Sequence, residues 1–248
     1  MPRTGRRRSI EARGEDAARA AALLIAAAAL ASVAAPARAA TEMVDTALVL
    51  AVDVSGSVDD ERYQLQMQGI AKAFDDAEVE HAILAGPHHA MFVTLVEWSD
   101  RAVVSVPWTL ITSGEDAAAF ADKVRHAPRQ GSDFTCMSRA LELVQDKVLP
   151  FLPVPATRQV VDVSSDGRDN CNLTPAVPVL RDQLVASGVT INGMPILEGN
   201  EALTLEGWYK ENVIGGNSAF TLPAEGYQDF ARAMRRKFVT EISERGDE

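Results

Sequence analysis

The chain is 248 residues long and 47% hydrophobic, with 35 acidic against 24 basic side chains and a net charge of −11 at pH 7. That sign argues against nucleic acid or an anionic membrane as the main partner. The length is enough for one domain with a sizeable core.

The first segment reads as a leader. Arg3, Arg6, Arg7, Arg8 and Arg13 precede the apolar run "AAALLIAAAALASVAA". The run leaves through "PARAA", where Ala37-Arg38-Ala39 fits a small-x-small cleavage pattern. Together these predict a secretory signal peptide over 1–39 and a domain over 40–248. An uncleaved membrane anchor is the alternative, but the run is short and alanine-rich for a bilayer span. "RRRSI" touches the twin-arginine pattern, so the export route stays open. Residues 1–39 hold 7 Arg and 3 acids, so their removal leaves 209 residues with 17 basic and 32 acidic side chains, net −15. The expected location is periplasmic or secreted, with no stable membrane insertion after cleavage. In that compartment Cys136 and Cys171 suggest one disulfide; in a cytosolic protein they would be two buried thiols.

After the leader, apolar runs alternate with amphipathic ones. "TALVLAVDVS" (46–55) is apolar on both faces, as in a central strand of a covered parallel sheet. "DDERYQLQMQGIAKAFDDAEV" (59–79) has Tyr63, Met67, Ile70 and Phe74 at helical spacing and acids in its first turn. "AMFVTLVEWS" (90–99) is a strand, and "AVVSVPW" (102–108) a short one that Pro107 places at an edge. Helices are expected over 114–127 and 137–149. "RQVVDVSSDG" (158–167) is a third long strand, followed by a helix over 175–188 that Gly188 closes. A strand over 189–197, a helix over 204–214, a last strand "SAFTLP" (218–223) and a helix over 226–245 complete the pattern. This alternation predicts a three-layer, doubly wound α/β domain with a mostly parallel sheet.

In such a sheet, ligands bind beyond the carboxyl ends of the strands. Three loops at that edge carry oxygen-bearing side chains: Asp53, Ser55 and Ser57 after the first strand, Thr135 before a helix, and Asp166 after the third long strand. Alone, the first group reads equally as a turn or a helix cap. Together, two carboxylates and three hydroxyls are hard donors that select Mg²⁺, Mn²⁺ or Ca²⁺ over metals that prefer His and Cys. Two carboxylates only just neutralise a divalent ion, so such a metal stays electrophilic towards an outside acid. His88-His89 reads as an exposed loop, the tryptophans Trp98, Trp108 and Trp208 as packing, and Asp169, Asn170 and Asn172 as turn residues, with Asn170 able to reach the rim of the site. Glu97 is either an acid supporting the ligands from behind or a surface acid at a strand end.

"DVSGS", Thr135 ahead of "SRAL", and "SSDG" resemble the metal-ion-dependent adhesion site of von Willebrand factor A domains. The likeness covers nearly all of the chain after the leader. Its C-terminal half is similar to a bacterial branch of that superfamily carried as a domain of unknown function. The resemblance implies that Ser55, Ser57 and Thr135 bind the metal directly and that Asp53 and Asp166 bind it directly or through water. It implies a Rossmann-like fold and a binding module rather than an enzyme. The partner would be a protein or other anionic ligand that donates a carboxylate to the metal. Many members have Gly-Gly before the threonine; Asp133-Phe134 here predicts a stiffer or differently shaped loop. Two other readings compete: a metal-dependent phosphatase or hydrolase, and an interaction domain that keeps the motif without metal. Against the first, Ser55 stands where a D-x-D aspartyl phosphatase needs its second aspartate, and the G-x-S-x-G, phosphate-loop and H-E-x-x-H patterns are absent.

Overall fold

The computed structural model describes residues 41–243. The expected signal peptide lies outside them. Five strands form one sheet in the order β3-β2-β1-β4-β5. They are β1 (Val44–Asp53), β2 (Met91–Trp98), β3 (Ala102–Ile111), β4 (Ala156–Ser165) and β5 (Val189–Pro195). All neighbours pair in parallel except β2 with β3. Every residue of β1 is buried, as a central strand covered on both faces requires. The strand containing Pro107 is the antiparallel edge.

The helices are α1 (Asp60–Phe74), α2 (Ala77–Leu84), α3 (Gly114–Arg125), α4 (Met137–Leu143), α5 (Val177–Ala186), α6 (Ala202–Asn212) and α7 (Phe230–Ser243). Alternate residues of each strand feed two cores. Leu48, Leu50, Val93 and Leu95 pack with Met67, Ile70 and Phe74 of α1, Phe120 of α3 and Phe238 of α7. Phe74 meets Phe120 and Phe238 edge to face at 4.7 and 5.2 Å. On the other face Val49, Ala51, Val161 and Val163 pack with Leu141 of α4, Leu180 of α5 and Tyr209 of α6. The three-layer expectation therefore holds. Among the described residues, no helix is long and apolar enough to cross a membrane.

Two elements differ from the sequence reading. The helix expected over 59–79 is two helices, because Asp76 takes the N-cap of α2 and accepts from the amides of Glu78 and Val79. "SAFTLP" is not a regular strand. It meets β5 through one isolated bridge, Gly193↔Thr221, and a second, Ile196↔Ala224, follows just past both segments. Ser218 enters with φ 53°, outside the extended region. Pro195 and Pro223 lack the amide hydrogens that a continuous ladder would use.

A buried ionic group fastens α7 to the sheet. Lys237 is fully buried and pairs with Asp162 of β4; Glu241, one turn on, lies 3.5 Å from its ammonium. Asn192 of β5 donates to Glu241 Oε1 at 2.6 Å. Burial, and then the charge of Glu241, raise the Asp162 pKa well above the ordinary carboxylate range.

Lys237→Met removes the cation and strands two buried carboxylates. It should destabilise the protein by about 3–5 kcal/mol near pH 8. A carboxylate whose folded pKa is raised contributes stability at low pH and loses it as pH rises through that value. The deficit should therefore narrow at pH 5. Urea midpoints at both pH values check this, and a deficit independent of pH would contradict it.

Candidate metal centre

β1 and β4 are neighbours, with Val52 opposite Ser164, so both release their chains at the same edge of the sheet. Three loops meet there. The first, 54–59, leaves β1. Asp53 is fully buried, and its Oδ1 accepts from the Ser55 amide at 2.8 Å. Its Oδ2 accepts from Ser165 Oγ at 2.5 Å. Ser55 is fully buried and Ser57 exposed. Asp59 then caps α1 by accepting from the Arg62 amide at 2.9 Å.

All five expected ligands are brought together. Thr135 Oγ1 lies 3.2 Å from Ser55 Oγ. Ser55 Oγ lies 3.5 Å from Ser57 Oγ. Ser57 Oγ donates to Asp166 Oδ1 at 2.7 Å. An octahedral ion with oxygens at about 2.0–2.1 Å has neighbouring oxygens about 2.9 Å apart. The observed spacings of 2.7, 3.2 and 3.5 Å bracket that edge. The donor set thus fits a small hard divalent cation. Among the described residues, no three His, Cys, Asp or Glu side chains gather as a metal site; the group at this edge has two carboxylates and three hydroxyls.

The second loop, 128–136, carries Thr135 and is held from several sides. Glu97 is fully buried, which excludes the surface reading. Its Oε1 accepts from the Tyr63 hydroxyl at 2.7 Å and its Oε2 from the Gln130 amide at 3.1 Å. Burial raises its pKa, opposed by the hydrogen bond from Tyr63. Arg129 donates to the Val58 carbonyl and, at 2.9 Å, to Asp60. A Cβ at Gly131 would collide with the Val54 carbonyl oxygen, so only glycine lets the first two loops touch there. Asp133, at the departure from the family pattern, accepts from the Gly56 amide through its carbonyl at 3.2 Å. Phe134 turns outward and is 57% exposed.

The third loop is lashed to the second. Asn170 Oδ1 accepts from the Thr135 amide, and the Asn170 amide donates to the Thr135 carbonyl, both at 3.0 Å. Asp169 Oδ2 accepts from the amide and hydroxyl of Ser138 in the first turn of α4. Cys136 and Cys171 form a disulfide, with Cα atoms 5.2 Å apart. Asp169 and Asn170 are therefore clamps rather than plain turn residues, whereas Asn172 has the φ of 49° expected of a turn. Their adjacency to Asp166 was the available signal, but their partners lie in another loop.

The electrostatics follow from burial. Desolvation pushes Asp53 up to about 7; hydrogen bonds from Ser165 and Ser55 oppose this, and Asp166 adds to it. Beneath the site, Tyr209 and Tyr227 are buried, Tyr209 beside Ser165 and Tyr227 beside Asp166. Burial raises both pKa values. The charges of Asp53 and Asp166 then add to the shift, Asp53 leading at Tyr209 and Asp166 at Tyr227. Above, Ser57, Thr135 and Asp166 open into a cleft of about 340 Å³ whose far wall is 198–201.

Residues 43–246 match the model of a family described as "Protein of unknown function (DUF1194)". No curated protein matches the chain. Proximal thread matrix protein 1 from the mussel byssus is similar in structure, with a TM-score of 0.60 at 17% identity over 81% of this chain and 47% of that one. The chain thus spans about half the length of that protein. A further structure of the byssal protein is described as having a "zinc occupied MIDAS motif" (TM-score 0.59, 17% identity, 80% and 46% covered). The von Willebrand factor domain of the type V pili tip protein Mfa5 from Porphyromonas gingivalis matches with a TM-score of 0.57 at 12% identity, over 83% of this chain and 98% of that one.

Two outcomes are expected. Breaking the disulfide, which closes a separation of 35 residues, should cost about 4 kcal/mol in the chain-entropy model; denaturant midpoints with and without reductant measure it. In metal-free protein the buried Asp53 contributes stability while protonated and loses it as pH rises through about 7. Asp53→Asn should therefore stabilise the metal-free protein at pH 8 by a few kcal/mol, an order-of-magnitude figure, and have little effect at pH 4. Equal effects at both pH values would contradict this.

Proposed function

The chain belongs to the DUF1194 family and has a von Willebrand factor A-like fold, and we propose that it is an exported binding module that grips its partner through a divalent cation. The observation that carries this is the convergence of Ser55, Ser57, Thr135 and Asp166 oxygens, with neighbours 2.7–3.5 Å apart, above the buried Asp53. Ser55, Ser57 and Thr135 would hold the ion directly, and Asp53 and Asp166 directly or through water. When bound, the ion supplies a Lewis-acidic position for a carboxylate from a protein or other anionic ligand. Mg²⁺ or Mn²⁺ suits this donor set, with Ca²⁺ as a larger alternative. The zinc described for the byssal protein makes Zn²⁺ a sensible comparison.

The hydrolase reading has less support. A hydrolase needs a base free to take a proton. Of the acids in the cleft wall, Glu198 accepts from Arg62 at 2.7 Å and from the Tyr227 amide at 3.1 Å. Glu201 accepts from the Arg168 amide at 3.0 Å. Both are committed to holding the wall.

Calorimetry with Mg²⁺, Mn²⁺, Ca²⁺ and Zn²⁺ tests the reading. Wild type should bind Mg²⁺ or Mn²⁺. Asp53→Ala should abolish binding while the circular dichroism spectrum stays native, because β1 is held by apolar packing that the change leaves alone. Ser57→Ala should weaken binding by a smaller factor, since water can replace a neutral hydroxyl. Capture of a partner from envelope extract should disappear in chelator and return with Mg²⁺. Failure of the wild-type chain to bind any of the four ions would leave the interaction domain without metal.

A further inference from the structure

The cleft beside the metal centre contains two guanidinium groups, Arg62 and Arg168, with very different surroundings. Arg62 is fully engaged. It donates to the Ser57 carbonyl at 2.6 Å and to Glu198 at 2.7 Å, and its guanidinium carbon lies 5.4 Å from the Tyr227 ring centroid. Arg168 is held more loosely: its amide donates to Glu201 Oε2 at 3.0 Å, and its side chain forms an ion pair with the same carboxylate. Its Nε lies 3.7 Å from the same oxygen, too far for a hydrogen bond, and is buried without an acceptor. The side chain is 39% exposed, so the rest of the fork reaches the open cleft.

A buried guanidinium N–H without an acceptor is costly, and the planar fork matches a carboxylate in bidentate fashion. Resting on the metal-bridge reading, we infer that Arg168 is a second anchor of the same site. It takes a second carboxylate of a ligand whose first carboxylate reaches the metal. The ligand class is therefore a dicarboxylate, either a free small diacid or a pair of acidic side chains on a protein segment. Asp166, Glu198 and Glu201 also line the cleft, so the second carboxylate competes with Glu201 for the Arg168 fork. The volume of about 340 Å³ lies at the low end for ligand pockets, which suits a small diacid or a short acidic stretch. Arg168 is one residue from Gly167 and two from Asp166, so the ligand loop itself sets the distance between the two anchors.

The test uses the full chain loaded with Mn²⁺ and follows displacement of metal-bound water by proton relaxation. The probes are butyrate, glutarate and a capped Asp-Gly-Asp peptide. Wild type should bind glutarate or the peptide about tenfold or more tightly than butyrate, the scale of one charge-assisted pair. The stronger of the two distinguishes a free diacid from a protein segment. Arg168→Gln should erase that preference and leave Mn²⁺ and butyrate binding within about twofold of wild type. Arg168→Lys, which keeps the charge but not the fork, should retain part of it. If Mn²⁺ binds and Arg168→Gln keeps the preference, or wild type has none, the second anchor is overturned and the metal site stands. If wild type does not bind Mn²⁺, the metal reading itself falls, and this one with it.

Discussion

The arrangement depends on a carboxylate placed where water cannot reach it. Asp53 ends the central strand, and the strands on either side, Trp98 and Ser165 among their last residues, enclose it. An isolated charge there is unfavourable, and the protein answers with donors: the Ser55 amide and the Ser165 hydroxyl. These donors leave part of the desolvation uncompensated, which is why the group holds its proton up to about 7. A cation placed against it would compensate the remainder. The fold is therefore strained electrostatically at one point, the end of its central strand, while apolar packing on both faces of the sheet holds the strand in place.

The loops above Asp53 are held by contacts that do not pass through the proposed ligand oxygens. Glu97, Arg129 and Gly131 set the second loop against the first. Asn170, Asp169 and the Cys136–Cys171 bond set the third against the second. Preorganisation of this kind lowers the ordering cost of binding, since the hydroxyls need only small shifts to reach an ion. It also shows how Asp133-Phe134 stands in for a glycine pair while the loops still meet: the contact to the first loop uses the Asp133 carbonyl, which any residue supplies.

What was legible in the sequence follows from the range of each interaction. The strands and both cores were legible because hydrophobic periodicity is local. Asp53, Ser55 and Ser57 were legible because alternate residues at a strand end share one loop. Thr135 and Asp166 became legible only when strand order was supplied by a parallel α/β pattern that brings distant strand ends to one edge. The clamps were not legible. Asn170 could be read as reaching the rim, which it does, but its bond to Thr135 in another loop could not be read locally. The burial of Glu97 likewise depends on Tyr63 and Gln130, far away in the chain. The two misjudged elements share a cause. A capping aspartate in one case, and two prolines with a left-handed serine in the other, overrode a pattern that apolar spacing alone would continue.

The pairing of Asp53 with Trp98 across β1 and β2 has an optical consequence. Register partners in a parallel sheet project their side chains to the same face. The Trp98 indole is fully excluded from solvent, and its Nε1 has no hydrogen-bond partner. Its excited-state dipole therefore sits in a low-dielectric layer beside the strand end where proton and cation would exchange. A change of charge there acts on the indole through the electric field, with little solvent relaxation to blur it. Trp108 and Trp208 are only partly buried, so their emission is expected further to the red. The blue edge of the chain's own fluorescence thus belongs to Trp98, and the fold has placed a built-in voltmeter next to its central carboxylate.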